Sequence, residues 1–152
     1  MDNIFNRAVV NKVQKMSEQL ENIKNMSSFE PKWSDPAPID SIKISPANEL
    51  GVYRIIYKPT GETMSIGQGN VTNRRTRHKS VYKNNGQDLI SPNGHASPSQ
   101  TAKKMFVYDD NIDNWWMQYC HIPHKVLCAE YEKLLQENEE PEFNLLSMGG
   151  NN

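Results

Sequence analysis

Long apolar runs are missing from this 152-residue chain. A bilayer-spanning helix takes about 20 consecutive apolar residues, so no segment is expected to cross a membrane. Cysteine is scarce: Cys120 and Cys128 are the whole supply, too few for a disulfide-stapled secreted scaffold. A dominant sign of charge is absent too. Seventeen Lys and Arg stand against 18 Asp and Glu, for a net charge of −1, which excludes charge-driven disorder. Core-forming residues are in short supply, with 36% hydrophobic residues overall against the usual ~45–50% counted with Gly. A small core with polar flanks is expected, in one domain with a short appendage. The opening MDNIFNRAVV lacks a basic segment followed by an apolar one, so a cytoplasmic protein without a secretory signal is expected.

The near-zero net charge hides an uneven distribution. Thr72–Lys83 carries Arg74, Arg75, Arg77, Lys79 and Lys83 and no acid. Cys128–Glu142 carries six Glu against Lys133. A local basic block, more than the global pI, decides whether a surface meets phosphates. Either run alone also suits a solvated helix face.

Along the chain, Phe5, Val9, Val13, Met16, Leu20 and Ile23 fall at helical spacing, which predicts an amphipathic helix over 1–27. Its stripe is narrow, close to a coiled-coil seam. It either docks on the domain or pairs with a partner, and in the second case makes a homodimer. Pro31, Pro36, Pro38 and Pro46 punctuate 28–50. That segment reads as a linker or surface-hugging arm, with Trp33 as an anchor. GVYRIIY from Gly51 reads as a strand, Lys58-Pro59-Thr60-Gly61 as a turn, and Glu62–Ile66 as the returning strand, ended by Gly67-Gln68-Gly69. Val71–Lys83 reads as a basic helix and 84–97 as a polar loop. Ser97-Pro98 opens a helix to about Val107. Trp115–His121 is a third strand, with one of Trp115 and Trp116 turned to the core. Pro123 opens a helix to about Asn138, and an extended tail follows Pro141.

One ordered set of polar and glycine residues carries chemistry. Gly51-Val52-Tyr53 faces Ser65-Ile66-Gly67-Gln68 across the hairpin. Arg74 and Arg75 follow, then His78, four residues from Arg74 and so on the same helix face. Glu132 sits on the last helix, and Pro141 and Asn144 come after it. Over about residues 51–148 this set resembles the GIY-YIG nuclease superfamily, in particular its small free-standing phage or homing-type members. The resemblance implies an α+β fold, a three-stranded antiparallel sheet flanked by helices, behind the N-terminal helical extension. It implies a DNA endonuclease dependent on Mg²⁺ or Mn²⁺. Tyr53 would help activate the attacking water. Arg74 or Arg75 would be the helix arginine, with Arg74 favoured because it keeps the spacing to His78. Glu132 would be the single protein ligand of the metal, and Asn144 would buttress the site. Arg75, Arg77, Lys79 and Lys83, with Gly67 and Gln68, would meet the DNA.

The chemistry is coherent in its own terms. An Arg fork matches charge building on phosphate oxygens. A neutral His or a phenolate can take a proton from water. A divalent ion on one carboxylate can neutralise a leaving 3′-oxygen. The chain departs from the family's Tyr-Ile-Gly at Ser65, a shorter and less acidic hydroxyl. That leaves two expectations: an enzyme in which Tyr82 or His78 fills the gap, or a DNA-binding accessory protein with impaired turnover. Cys120, His121, His124 and Cys128 have zinc-ligand chemistry. However, adjacent strand residues point to opposite faces, so buried thiols and polar imidazoles are the expected reading.

Overall fold

The computed structural model describes residues 7–18, 30–83 and 100–144. Contacts divide the chain into Met1–Pro31 and Lys32–Asn152. In the first unit, residues 7–18 form helix α1, with Val9, Val10, Val13 and Met16 exposed. The rest of the expected helix lies outside the described residues.

The second unit is mixed α/β. Its sheet has four antiparallel strands: β1 (Ala37–Pro38), β2 (Leu50–Tyr57), β3 (Glu62–Asn70) and β4 (Trp115–His121), in the order β1-β4-β2-β3. The expected three strands are therefore four. The extra one is the two-residue β1, paired Ala37 to Met117 and Pro38 to Trp116. Two residues with a proline leave no periodic signal, and an edge position is where a strand tolerates a missing N–H. The Pro-rich segment holds on further along. Ser34 N–H donates to the Tyr119 carbonyl at 2.8 Å, and Ile39 and Ile42 are buried.

Helices α2 (Val71–Lys83) and α3 (Gln100–Tyr108) and a 3₁₀ turn (Ile112–Asn114) precede β4, and α4 (Lys125–Glu139) follows it. The expected loop 84–97 and the Ser97-Pro98 helix start lie outside the described residues. Side chains alternate across β2. Tyr53 and Ile55 join Met64, Val71, Met105, Trp115, Met117 and Phe143 in the main core, with Ile39 and Ile42. Val52 and Ile66 serve the other face, where α4 packs on β3 and β2 with buried Leu127, Cys128 and Leu135. Of the tryptophan pair, Trp115 is the buried one, and Lys58 lies over the Trp116 ring.

Two further expectations are corrected. Strand β3 does not stop at Ile66 but runs to Asn70, with Gly67 paired to Tyr53 and Gly69 to Gly51. Gly67 leaves space for the cross-strand Tyr53 ring, and Gly69 for the Arg74 side chain that follows in sequence. The chain after Pro141 is not extended either: residues 142–144 are helical, and Asn144 N–H donates to the Pro141 carbonyl at 3.0 Å. Glu140 in the left-handed region (φ 47°) ends α4 and lets a new turn begin.

Candidate active site at the outer edge of the sheet

Strand β3 is an edge strand, and its outer side is where the site forms. Gly67 lies directly across from Tyr53. A Cβ on Gly67 would stand 2.5 Å from Cζ of the Tyr53 ring, so only glycine leaves that ring its place. Two residues on, Gly69 has φ +136°, and a Cβ there would meet Arg74 Nε at 2.8 Å. Asn70 then caps α2, its Oδ1 accepting from Asn73 N–H at 3.1 Å. The tight passage from β3 into α2 thus sets Arg74 and His78 on the first two turns, over the strand.

An open pocket of about 320 Å³ collects Tyr53, Ser65, Arg74, His78, Glu132 and Asn144. All six residues expected to carry chemistry meet there, from β2, β3, α2, α4 and the turn after it. Gly67 and Gln68 line the same pocket. Of the two arginines weighed, Arg74 lines it and Arg75 does not. Arg75, Arg77, Lys79 and Lys83 lie outside the lining. Among them Lys79 is already engaged, its Nζ 2.9 Å from a carboxylate oxygen of Asp40, and Arg75 Nε is buried without a partner. Tyr82 does not fill the gap beside Ser65. Its hydroxyl donates to the Asp109 carbonyl at 3.1 Å and its ring packs on Phe106.

His78 is the most constrained group. It is 1% exposed, and its Nδ1 is 2.5 Å from the Arg74 carbonyl oxygen. A carbonyl only accepts, so Nδ1 carries the proton and Nε2 is left as a lone pair. That Nε2 is buried and has no partner. Burial lowers the imidazole pKa to about 4, with the charges of Arg77 and Arg74 helping and the Arg74 carbonyl opposing. His78 is therefore neutral at neutral pH. Its ring meets Tyr53 edge-on, with centroids 5.6 Å apart.

The Tyr53 phenol is raised to about 12, first by burial, with Arg74 pulling it down and Glu132 pushing it up. It stays protonated and offers a donor. Ser65 is 2% exposed. Burial raises the Glu132 carboxyl, and Arg74 partly offsets this. No ion pair within 4.0 Å neutralises Arg74 or Glu132 among the described residues. A half-desolvated carboxylate with no ion-pair partner within 4.0 Å suits a hard divalent cation. Among the described residues no three acidic, His or Cys side chains gather elsewhere or here. An ion on Glu132 would thus take its remaining ligands from water and phosphate, as Mg²⁺ commonly does.

Asn144 acts on the strand. Its Oδ1 accepts from Ile66 N–H at 2.8 Å and its Nδ2 donates to Ile66 O at 3.3 Å. That pairing satisfies a peptide on the unpaired outer edge of β3.

Two lining residues were not anticipated: Thr101 and Gln136. Gln136 stands four residues after Glu132, and that helical spacing was a usable signal. Thr101 has none, because α3 reaches the pocket only through tertiary packing. The Cys and His group near α4 is spread out. Cys120 and Cys128 are buried, Cys128 Sγ donates to the Ile122 carbonyl at 3.2 Å, and His124 is exposed at the helix start. Compared with known proteins, the chain matches no family model, no curated protein and no solved structure, so the chemistry of the site is read from its own residues.

Proposed function

We propose that this chain is a metal-dependent DNA endonuclease of the GIY-YIG type, acting in the cytoplasm. One observation carries the reading. A buried neutral histidine with a free Nε2, an arginine without an ion pair, a protonated phenol and a lone carboxylate converge in a single open pocket.

Each group has a task in phosphodiester hydrolysis. His78 Nε2 accepts a proton from water as the water oxygen bonds to phosphorus. The Arg74 fork faces the non-bridging oxygens, where negative charge grows. The Tyr53 hydroxyl donates a hydrogen bond to the water or the phosphate. The bond from phosphorus to the 3′-oxygen then breaks. A Mg²⁺ or Mn²⁺ ion held by Glu132 would neutralise the departing oxygen. Asn144 holds the β3 wall, and Arg75, Arg77 and Lys83 supply cations for the flanking phosphates. Lys79 is a weaker candidate, because Asp40 already holds it.

A second reading has its own support. The Ser65 hydroxyl makes no hydrogen bond among the described residues, and a serine lacks the phenol ring of the family's tyrosine. This favours a DNA-binding accessory protein with impaired turnover. Supercoiled plasmid incubated with Mg²⁺, Mn²⁺ or EDTA separates the two. Metal-dependent nicking that disappears in Glu132→Ala and Arg74→Ala supports the enzyme. Silence from the parent with nicking by Ser65→Tyr supports the impaired form. Silence from both, alongside salt-sensitive DNA binding, supports the accessory protein.

A further inference from the structure

The contact between α4 and the sheet is mostly apolar, through Leu127, Cys128 and Leu135. Apolar contact is non-directional. It sets how far the helix stands from the sheet and leaves its rotation and slide weakly specified. Yet Glu132 is useful only if its carboxylate is aimed at the pocket, so something directional must fix the helix.

One such contact lies beside Glu132. Gln136 Nε2 donates to the Ile66 carbonyl at 2.9 Å. Gln136 lies one helical turn beyond Glu132 on the same face, and both line the pocket. Ile66 sits between Ser65 and Gly67, and Gly67 is the seat of the Tyr53 ring. One hydrogen bond therefore runs from the turn that carries the carboxylate to the strand that carries the opposite wall. Asn144 grips the same peptide, but from the turn after α4, past the left-handed break at Glu140. It secures the strand without fixing the helix. A second directional tie, the two-pronged bond of Glu139 to Arg54 on β2, holds the last residue of α4, two turns beyond Glu132, whereas Gln136 holds the turn next to the carboxylate.

We infer that Gln136 is a positioning residue that aims the Glu132 carboxylate at the pocket and so sets the affinity for a divalent cation there; this rests on the nuclease reading of Glu132. The Gln136 amide does not itself touch the ion. It satisfies a buried strand carbonyl and in doing so fixes the register of α4 against β3. Outer partners that orient a metal ligand change metal affinity or activity by roughly 10- to 100-fold.

The test uses the full chain with Mn²⁺ as probe. Mn²⁺ binding is measured by electron paramagnetic resonance and calorimetry, the Mg²⁺ midpoint by plasmid nicking, and melting temperature in parallel. Gln136→Met keeps the length and removes the donor. It is expected to weaken Mn²⁺ binding and raise the Mg²⁺ midpoint by about tenfold, with the rate recovering at saturating metal. Gln136→Asn keeps the amide but falls short of the carbonyl, and is expected to shift the midpoint the same way. If either variant folds and keeps the parental metal midpoint while only its melting temperature falls, Gln136 is merely structural and the inference is overturned. If the parent shows no Mn²⁺ binding that Glu132→Gln removes, the metal reading of Glu132 itself fails.

Discussion

Acidification is the perturbation that probes the site most directly, because His78 is held neutral by the fold. Its pKa is about 4 in the folded chain, against about 6.5 in an unfolded one. The sign follows from linkage. Below the unfolded value the unfolded chain takes up a proton that the folded chain refuses, so stability is present at neutral pH and is lost as pH falls from about 6.5 towards 4. The cost is about 2 kcal/mol at pH 5 and about 3 kcal/mol at pH 4. Two carboxyls are also shifted by the fold, with opposite signs. Glu132 is raised by burial and its protonation favours the fold on acidification, whereas Asp109 is lowered by its hydrogen bond from Tyr57 and opposes it. The comparison must therefore be between the parent and His78→Gln at each pH. Urea unfolding followed by tryptophan fluorescence, to which the buried Trp115 contributes, measures it. The replacement is expected to be less stable than the parent at pH 7.5. The gap should narrow by about 2 kcal/mol at pH 5, a shift of roughly 1 M in urea midpoint. An unchanged gap between the two pH values would refute the account of a buried, neutral imidazole.

Other outcomes are equally specific. Gly67→Ala drives a Cβ into the Tyr53 ring; it is expected to cost about 1–3 kcal/mol by overpacking and to abolish nicking, read by thermal melting and the plasmid assay. Arg54→Ala removes ties to Glu139, Gln118 and the Trp33 ring, and Arg54 itself does not line the pocket. About 1–2 kcal/mol of stability should be lost while nicking by the folded fraction persists; an activity loss beyond the unfolded fraction would contradict that separation. Deleting residues 1–27 is expected to lower the oligomeric state, because Val9, Val13 and Met16 present an exposed apolar stripe at coiled-coil spacing. Light scattering that finds monomers before and after would sink that idea.

Local chemistry made much of the second unit legible. β2, α2 and β4 follow from β-branched and aromatic runs, a basic segment and turn residues, all short-range signals. The residues expected at the site also meet in one pocket, because their spacing encodes which face of each element they occupy. Spacing left Arg74 and Arg75 both open. The structure separates them: Arg74 lies over Gly69 and lines the pocket, and Arg75 does not line it. What local patterns cannot carry is any role created by distant neighbours. Gly67 and Gly69 read as breakers yet lie within β3, because the Tyr53 ring and the Arg74 fork occupy the space their side chains would need. Residues 142–144 read as extended yet form a turn, because Asn144 closes the unpaired edge of a strand 78 residues earlier. β1 exists only because Met117 and Trp116 offer it an edge. Thr101 enters the pocket by helix packing alone. The sequence by itself determined which elements form and which faces carry charge and hydroxyls, since both depend on near neighbours. The tertiary structure alone decided that His78 Nε2 is buried without a partner, which arginine faces the pocket and how α4 is tied to β3, since the burial and the pocket are built by parts far apart in the chain.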